Sequence, residues 1–114
     1  MQTLFFPSST RTFEDHPKFA GVRIAVLVSR TSSDVLGVSL LEIAPGVDVP
    51  AHVHDLQIDS IYVISGQGEA LINGGWQPIT AGDYVYVPPQ EKHGVRNIGT
   101  GPLELFVHHS PPLF

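Results

Sequence analysis

A chain of 114 residues falls within the roughly 100–200 residues of one typical domain, and at that size about two thirds of the unfolded surface can be buried. It has no cysteine, which excludes disulfides, thiolate metal sites and thiol nucleophiles and leaves histidine nitrogen and carboxylate or carbonyl oxygen for any transition metal. A net charge of −5 with six scattered Lys and Arg residues provides no basic stripe for nucleic acid or an anionic membrane surface.

The apolar opening Leu4-Phe5-Phe6 stops at Pro7, too short for a signal-peptide core. No stretch approaches the roughly 20 apolar residues of a membrane span, so the expectation is a cytoplasmic protein. Segment 13–21, "FEDHPKFAG", is broken by Pro17 and carries no helical stripe. Residues 1–34 are expected to form an N-terminal arm and leading strands, with the flanks 1–19 and 110–114 lying along the outside of the main fold.

From there, apolar runs rich in Val, Ile, Leu and Tyr alternate with proline and glycine, the pattern of short strands joined by turns. Strands are predicted at 22–29, 35–43, 51–54, 60–65, 68–72, 75–79, 83–88, 93–97 and 103–109. Turn chemistry separates them: "APG" at 44–46, "NGG" at 73–75, "TAGD" at 80–83, "PPQEK" at 88–92 and "GTGP" at 99–102. Asn-Gly is a strong hairpin signal because both residues readily take positive φ. So many short strands leave many edges, which a closed barrel or a double-sheet jelly roll shelters. The expected fold class is all-β, and the domain is expected to span 1–114 with a core barrel over about 35–109.

The stretch "PAHVHDLQID" at 50–59 carries the chemistry. Side chains two apart on a strand share a face, so His52 and His54 can reach one ion. The same rule groups Asp59, Ile61 and Val63. Asp59 comes beside the histidine pair if the short link 55–58 folds the chain back antiparallel. His93, which opens a later strand after a turn, is the candidate third imidazole. Tyr62, His108 and His109 are the remaining candidates for moving protons. The simplest reading of His108 and His109 is edge-strand imidazoles in solvent, although "VHH" at 107–109 also alternates, so one of the two could face the pocket. His16, in the leading segment, is expected to carry no chemistry, and Asn97 to be a strand-end hydrogen bonder.

Two segments together resemble a known signature. In "GVDVPAHVHDLQIDSIYVISG", Gly46 precedes His52 by five intervening residues, His54 follows after one, Asp59 after four and Gly66 after six. In "GDYVYVPPQEKHGVRN", Gly82 leads to Pro88, His93 and Asn97. This pairing is similar to the two motifs of the cupin superfamily, over roughly residues 35–109. The resemblance implies a small β-barrel or double-stranded β-helix that holds one divalent transition metal, Fe, Mn, Ni, Cu or Zn, on His52, His54, Asp59 and His93. Two positions depart from the family pattern: Asp59 stands where glutamate is usual, and Gln90 where glycine is usual. The shorter carboxylate leaves two arrangements open, direct coordination by Asp59 or contact through a water or an imidazole.

The implied functions divide into two. One is a metal-dependent enzyme acting on a small oxygenated substrate, of dioxygenase, isomerase, lyase or decarboxylase type. The other is a non-catalytic module that binds or senses a metal or small ligand. The expected partner besides the small molecule is a second copy of the chain, with the apolar residues of "TLFF" and "SPPLF" as candidates for burial between subunits.

Overall fold

The computed structural model describes residues 2–114. Its strands are β1 (Glu14–Asp15), β2 (Val22–Val28), β3 (Gly37–Ile43), β4 (Asp48–His52) and β5 (Ile58–Ser65), then β6 (Gln67–Ile72), β7 (Gly75–Thr80), β8 (Tyr84–Val87), β9 (His93–Asn97) and β10 (Leu103–Ser110). They form a six-stranded sheet, ordered β1-β2-β3-β10-β5-β8, and a four-stranded sheet, ordered β4-β9-β6-β7. All pairings are antiparallel. This is the double-stranded β-helix that the strand pattern and motif resemblance predict. Among the described residues no helix is long and apolar enough to cross a membrane.

Period-two alternation builds the core. On β10, Leu103, Leu105, Val107 and His109 are buried while their neighbours are half-buried. Ile43, Ile61, Val63, Leu103 and Leu105 from the larger sheet meet Val49, Ala70, Ile79 and Val95 from the smaller one. Burial of each such side chain contributes about 1.5–3 kcal/mol, which holds the two sheets face to face.

Two turns define the rim. Gly66 has φ +94°, and a Cβ there would lie 2.6 Å from the Pro102 carbonyl oxygen, so both its conformation and the close chain approach require glycine. Asn97, 2% exposed, donates to the carbonyls of Ile43 (2.8 Å) and Gly101 (2.9 Å) and accepts from the Gly99 amide (2.9 Å). It is the strand-end hydrogen bonder expected from its position.

Three local expectations are corrected. The strand predicted at 51–54 runs from 48 to 52, so His54 lies in the following link rather than on the strand. β4 and β5 are not a hairpin: β4 pairs with β9, whereas β5 pairs with β10 and β8. The link 53–57 therefore crosses between sheets, and extended chain at roughly 3.3–3.6 Å per residue easily spans a sheet separation of about 10 Å. The C-terminal segment, expected on the outside, folds inward, and Leu113 and Phe114 line the interior cavity. Arg30 fastens it through its amide to the Phe114 main-chain oxygen and its guanidinium to the Leu113 carbonyl, both at 2.8 Å.

Candidate metal centre

The middle and last thirds of the chain meet at one end of the smaller sheet. His52 ends β4 and stands directly opposite His93, which opens β9; their ring centroids are 4.3 Å apart. His54 reaches the same point from the link, 4.9 Å from His52 and 5.1 Å from His93. Asp59 approaches from β5 in the other sheet. One donor atom from each of His52, His54, Asp59 and His93 lies within 4.8 Å of all the others. Asp59 and His93 are buried and the other two half-buried.

Main-chain carbonyls orient two of the rings. His52 Nδ1–H donates to the Pro50 carbonyl at 2.7 Å, and His93 Nδ1–H donates to the Glu91 carbonyl at 2.9 Å. Because a carbonyl only accepts, each Nδ1 carries the proton and each neutral ring turns an Nε2 lone pair into the cluster. The turn that delivers His93 contains Gln90 at φ +67°, the left-handed conformation that glycine adopts more readily. Its amide donates to the His54 carbonyl at 2.8 Å, so the departure at this position leaves the turn intact and ties it to the neighbouring ligand loop.

Asp59 is held differently. Its Oδ2 is 3.1 Å from His93 Nε2, 3.4 Å from His109 Nε2 and 3.7 Å from His54 Nε2, while its buried Oδ1 has no hydrogen-bond partner. Burial alone would raise this carboxyl, but the surrounding imidazoles of His109, His54 and His93 outweigh it and hold the group well below the usual carboxylate range. For His93, burial disfavours the imidazolium, yet the Asp59 carboxylate and the Glu91 carbonyl raise its pKa. For His52, burial lowers the pKa, partly offset by the Pro50 carbonyl, and the neighbouring imidazoles add to the lowering.

The other expected residues divide clearly. His109, expected in solvent, is 6% exposed and continues the inward row of β10 to end beside Asp59. That alternation with Leu103, Leu105 and Val107 was the signal that identifies it. His108 is on the opposite face, its ring packed 4.7 Å from Phe106. Tyr62, a candidate proton carrier, is 45% exposed on the outer face of β5, because alternation turns it away from Asp59, Ile61 and Val63. His16, expected to carry no chemistry, lines the cavity: its Nδ1 accepts from the amides of Lys18 (3.0 Å) and Phe19 (3.2 Å), and its ring packs between Phe19 and Phe114.

A family model for the cupin domain matches residues 39–109. The chain belongs to the cupin family. Among curated proteins, this cupin is 33% identical over 64 residues to an oxalate-binding protein of Thermotoga maritima, covering 56% of this chain and 53% of that one. It is 26% identical over 80 residues to the polyketide synthase CurC of Streptomyces cyaneus, covering 70% of this chain and 51% of that one. The chain thus spans about half the length of the curated relatives it matches. Among solved structures, a predicted oxalate decarboxylase from Thermotoga maritima superposes with a TM-score of 0.85 at 26% identity, covering 95% of this chain and 99% of that one.

The cupin cluster fits a cation on its own chemistry. With Nδ1–H committed to Glu91, a neutral His93 has only a lone pair to turn towards an Asp59 oxygen that is itself an acceptor. That contact is favourable only with a proton or a cation between the two atoms. The orphaned Oδ1 has the same need, since a buried carboxylate oxygen without a partner costs about 1–3 kcal/mol or more. Donors at roughly 2.1 Å from one ion are at most about 4.2 Å apart, so the 4.8 Å spread closes with shifts of a few tenths of an ångström. The His₃Asp group could hold a metal ion.

Proposed function

We propose that this cupin binds one divalent transition-metal ion, Fe, Mn, Ni, Cu or Zn, on His52, His54, Asp59 and His93, and that it is an enzyme acting there on a small oxygenated molecule. The observation carrying the reading is the convergence of three imidazoles and one carboxylate within 4.8 Å, with two of the imidazoles already turned lone pair inward by main-chain carbonyls. Asp59 Oδ2 sits within the cluster at 3.1 Å from His93 Nε2, which favours direct coordination by the shorter carboxylate. When bound, an ion of this kind supplies Lewis-acid polarisation of a substrate oxygen.

The chain's own residues supply the rest. Carbonyls of Pro50 and Glu91 fix the imidazole orientations, as hydrogen bonds to the remote ring nitrogen do in metal sites generally. His109 and Asp59 form an inward-facing couple, 3.4 Å apart, in which a proton can rest between Nε2 and Oδ2. The walls of Ile43, Ile61, Leu105 and Val107 are hydrocarbon, a lining of low polarity that strengthens electrostatic interactions beside it. The similarity to an oxalate-binding protein and to a predicted oxalate decarboxylase supports a small oxygenated ligand and leaves the reaction type among dioxygenation, isomerisation, lysis and decarboxylation.

A second reading, a binding or sensing module without turnover, is favoured by the scarcity of groups for proton transfer: Tyr62 faces outward, leaving His109, Asp59 and His16 as the candidates among the described residues. Elemental analysis of protein purified without added metal, followed by oxygen-uptake and keto-acid or sugar turnover assays, separates the two. One equivalent of metal with turnover supports the enzyme; one equivalent with tight ligand binding and no turnover supports the module. Far less than one equivalent contradicts both.

The same proposal includes a homodimer. Phe5 is 83% exposed in the N-terminal arm, and Tyr62, Ile64, Tyr84 and Tyr86 are exposed on the β5–β8 outer face, an apolar surface of the kind subunits cover. Sedimentation at micromolar concentration is expected to give a dimer; a monomer alone would contradict this part of the reading.

A further inference from the structure

Resting on the metal reading above, we infer that the ligand of this cupin is a molecule with an apolar, ring-sized body that presents one monoanionic oxygen head to the ion and bears no second anionic group. Three independent features of the cavity lead there.

The first is size and lining. The cavity has a volume of about 370 Å³, in the range of sites for ligands much larger than a two-carbon dicarboxylate. Beyond the ligand cluster its walls are hydrocarbon, chiefly Leu41, Ile43, Ile61, Val95, Leu105 and Val107, and Ser39 presents the one hydroxyl among the lining side chains.

The second is charge. A divalent ion and the ionised Asp59 together carry one positive charge, which a monoanionic chelate neutralises. A second carboxylate further in would need its own cation. Among the described residues no arginine lines the cavity, and the only lining lysine, Lys18, is exposed with its ammonium over the Phe19 ring at 5.5 Å. An anion among Ile43, Leu105 and Val107 would be desolvated and unpaired, an arrangement proteins avoid.

The third is the mouth. Phe19, His16 and Phe114 form a collar, with centroid separations of 4.8 Å for His16–Phe19 and 5.9 Å for His16–Phe114. Phe19 also lies 5.8 Å from the His52 ring, so the collar abuts the metal ligands. His16 accepts two amide N–H groups on Nδ1 and thereby presents its faces and its Nε2–H rather than an imidazolium. Three flat faces beside an ion favour a flat apolar body held by offset and edge contacts.

A matched series tests this by isothermal titration of the metal-loaded protein. Acetohydroxamate and benzohydroxamate share one monoanionic chelating head and differ in the body; 4-carboxybenzohydroxamate adds a distal charge; oxalate is the small dianion. Benzohydroxamate is expected to bind at least tenfold tighter than acetohydroxamate and tighter than oxalate, and the distal carboxylate to erase the gain. The double variant Phe19→Ala, Phe114→Ala should lower the benzo-to-aceto ratio at least threefold, with the loss falling mainly on benzohydroxamate. Equal affinity for the two hydroxamates, tighter binding of oxalate, or no binding by a sample holding one equivalent of metal would overturn the inference and leave the metal reading standing. Substoichiometric metal would instead contradict the metal reading. The cavity's preference is then read on the metal-free chain by benzyl alcohol titration of the Ile61, Leu105 and Val107 methyl resonances, where shifts support it and their absence overturns it.

Discussion

The two walls of the cluster are built on different principles. In the four-stranded sheet, His52 and His93 are each oriented by a carbonyl two residues earlier in the chain, and they face each other across one register pair. In the six-stranded sheet, Asp59 is oriented only by side chains from elsewhere, His93, His109 and His54, and one of its oxygens has no partner. The imidazole wall is thus set by local backbone geometry, whereas the carboxylate wall depends on what occupies the space between them. Substitutions on the carboxylate side should therefore disturb metal affinity through orientation as well as through loss of a donor.

The largest expected effect on this comparison comes from Asp59→Asn, which keeps the shape but removes the charge. Metal affinity, measured by chelator competition, should fall at least about 100-fold, more than the 10–100-fold typical of residues that only orient a ligand. A fall of less than about tenfold would place Asp59 outside direct coordination.

His109→Ala should weaken metal binding by about 10–100-fold, because Asp59 Oδ2 loses its hydrogen bond from β10, and His109→Gln should restore most of the loss. His108→Ala, one residue away on the outer face, should change affinity less than about twofold. Equal effects at the two positions would remove His109 from the site.

Acidity separates the walls without any substitution at the histidines. In the metal-free chain, Asp59 is held below its usual range, so its stabilisation exists above the unfolded carboxyl value of about 3.9 and is lost as pH falls below it. His93 is raised, so its stabilisation is complete below about 6.5 and is lost as pH rises through the folded value. Denaturant unfolding of metal-free wild type and Asp59→Asn should therefore differ most near pH 5, with the gap narrowing in both directions. Saturating metal should shift the advantage to higher pH, where the imidazoles are free of protons.

The smallest effect is expected from Gln90→Gly. Relief of the left-handed conformation and the added freedom of the unfolded chain oppose each other, so stability should change by less than about 1 kcal/mol.

Much of this site is legible in the sequence for one reason: histidine spacing and turn residues act locally. The interval from His52 to His54 and the turn before His93 predict three converging imidazoles, and the structure brings them together with His54 just off the strand. The arrival of Asp59 from the opposite sheet is not legible, because a short link can equally fold into a hairpin or cross between sheets, and only the pairing needs of β9 and β10 decide. His109 is legible by alternation with Leu103, Leu105 and Val107, yet two adjacent histidines hide which one points inward. The collar of His16, Phe19 and Phe114 has no periodic signal at all. It arises where Arg30 pins the end of the chain and the loop after β1 closes over the same opening.

The most direct test is the metal content of the double variant His52→Ala, His93→Ala, purified alongside wild type without added metal, with far-UV circular dichroism of both. The account predicts about one equivalent in wild type, none in the variant, and the same β-sheet spectrum. An unchanged metal content in a folded variant would contradict it.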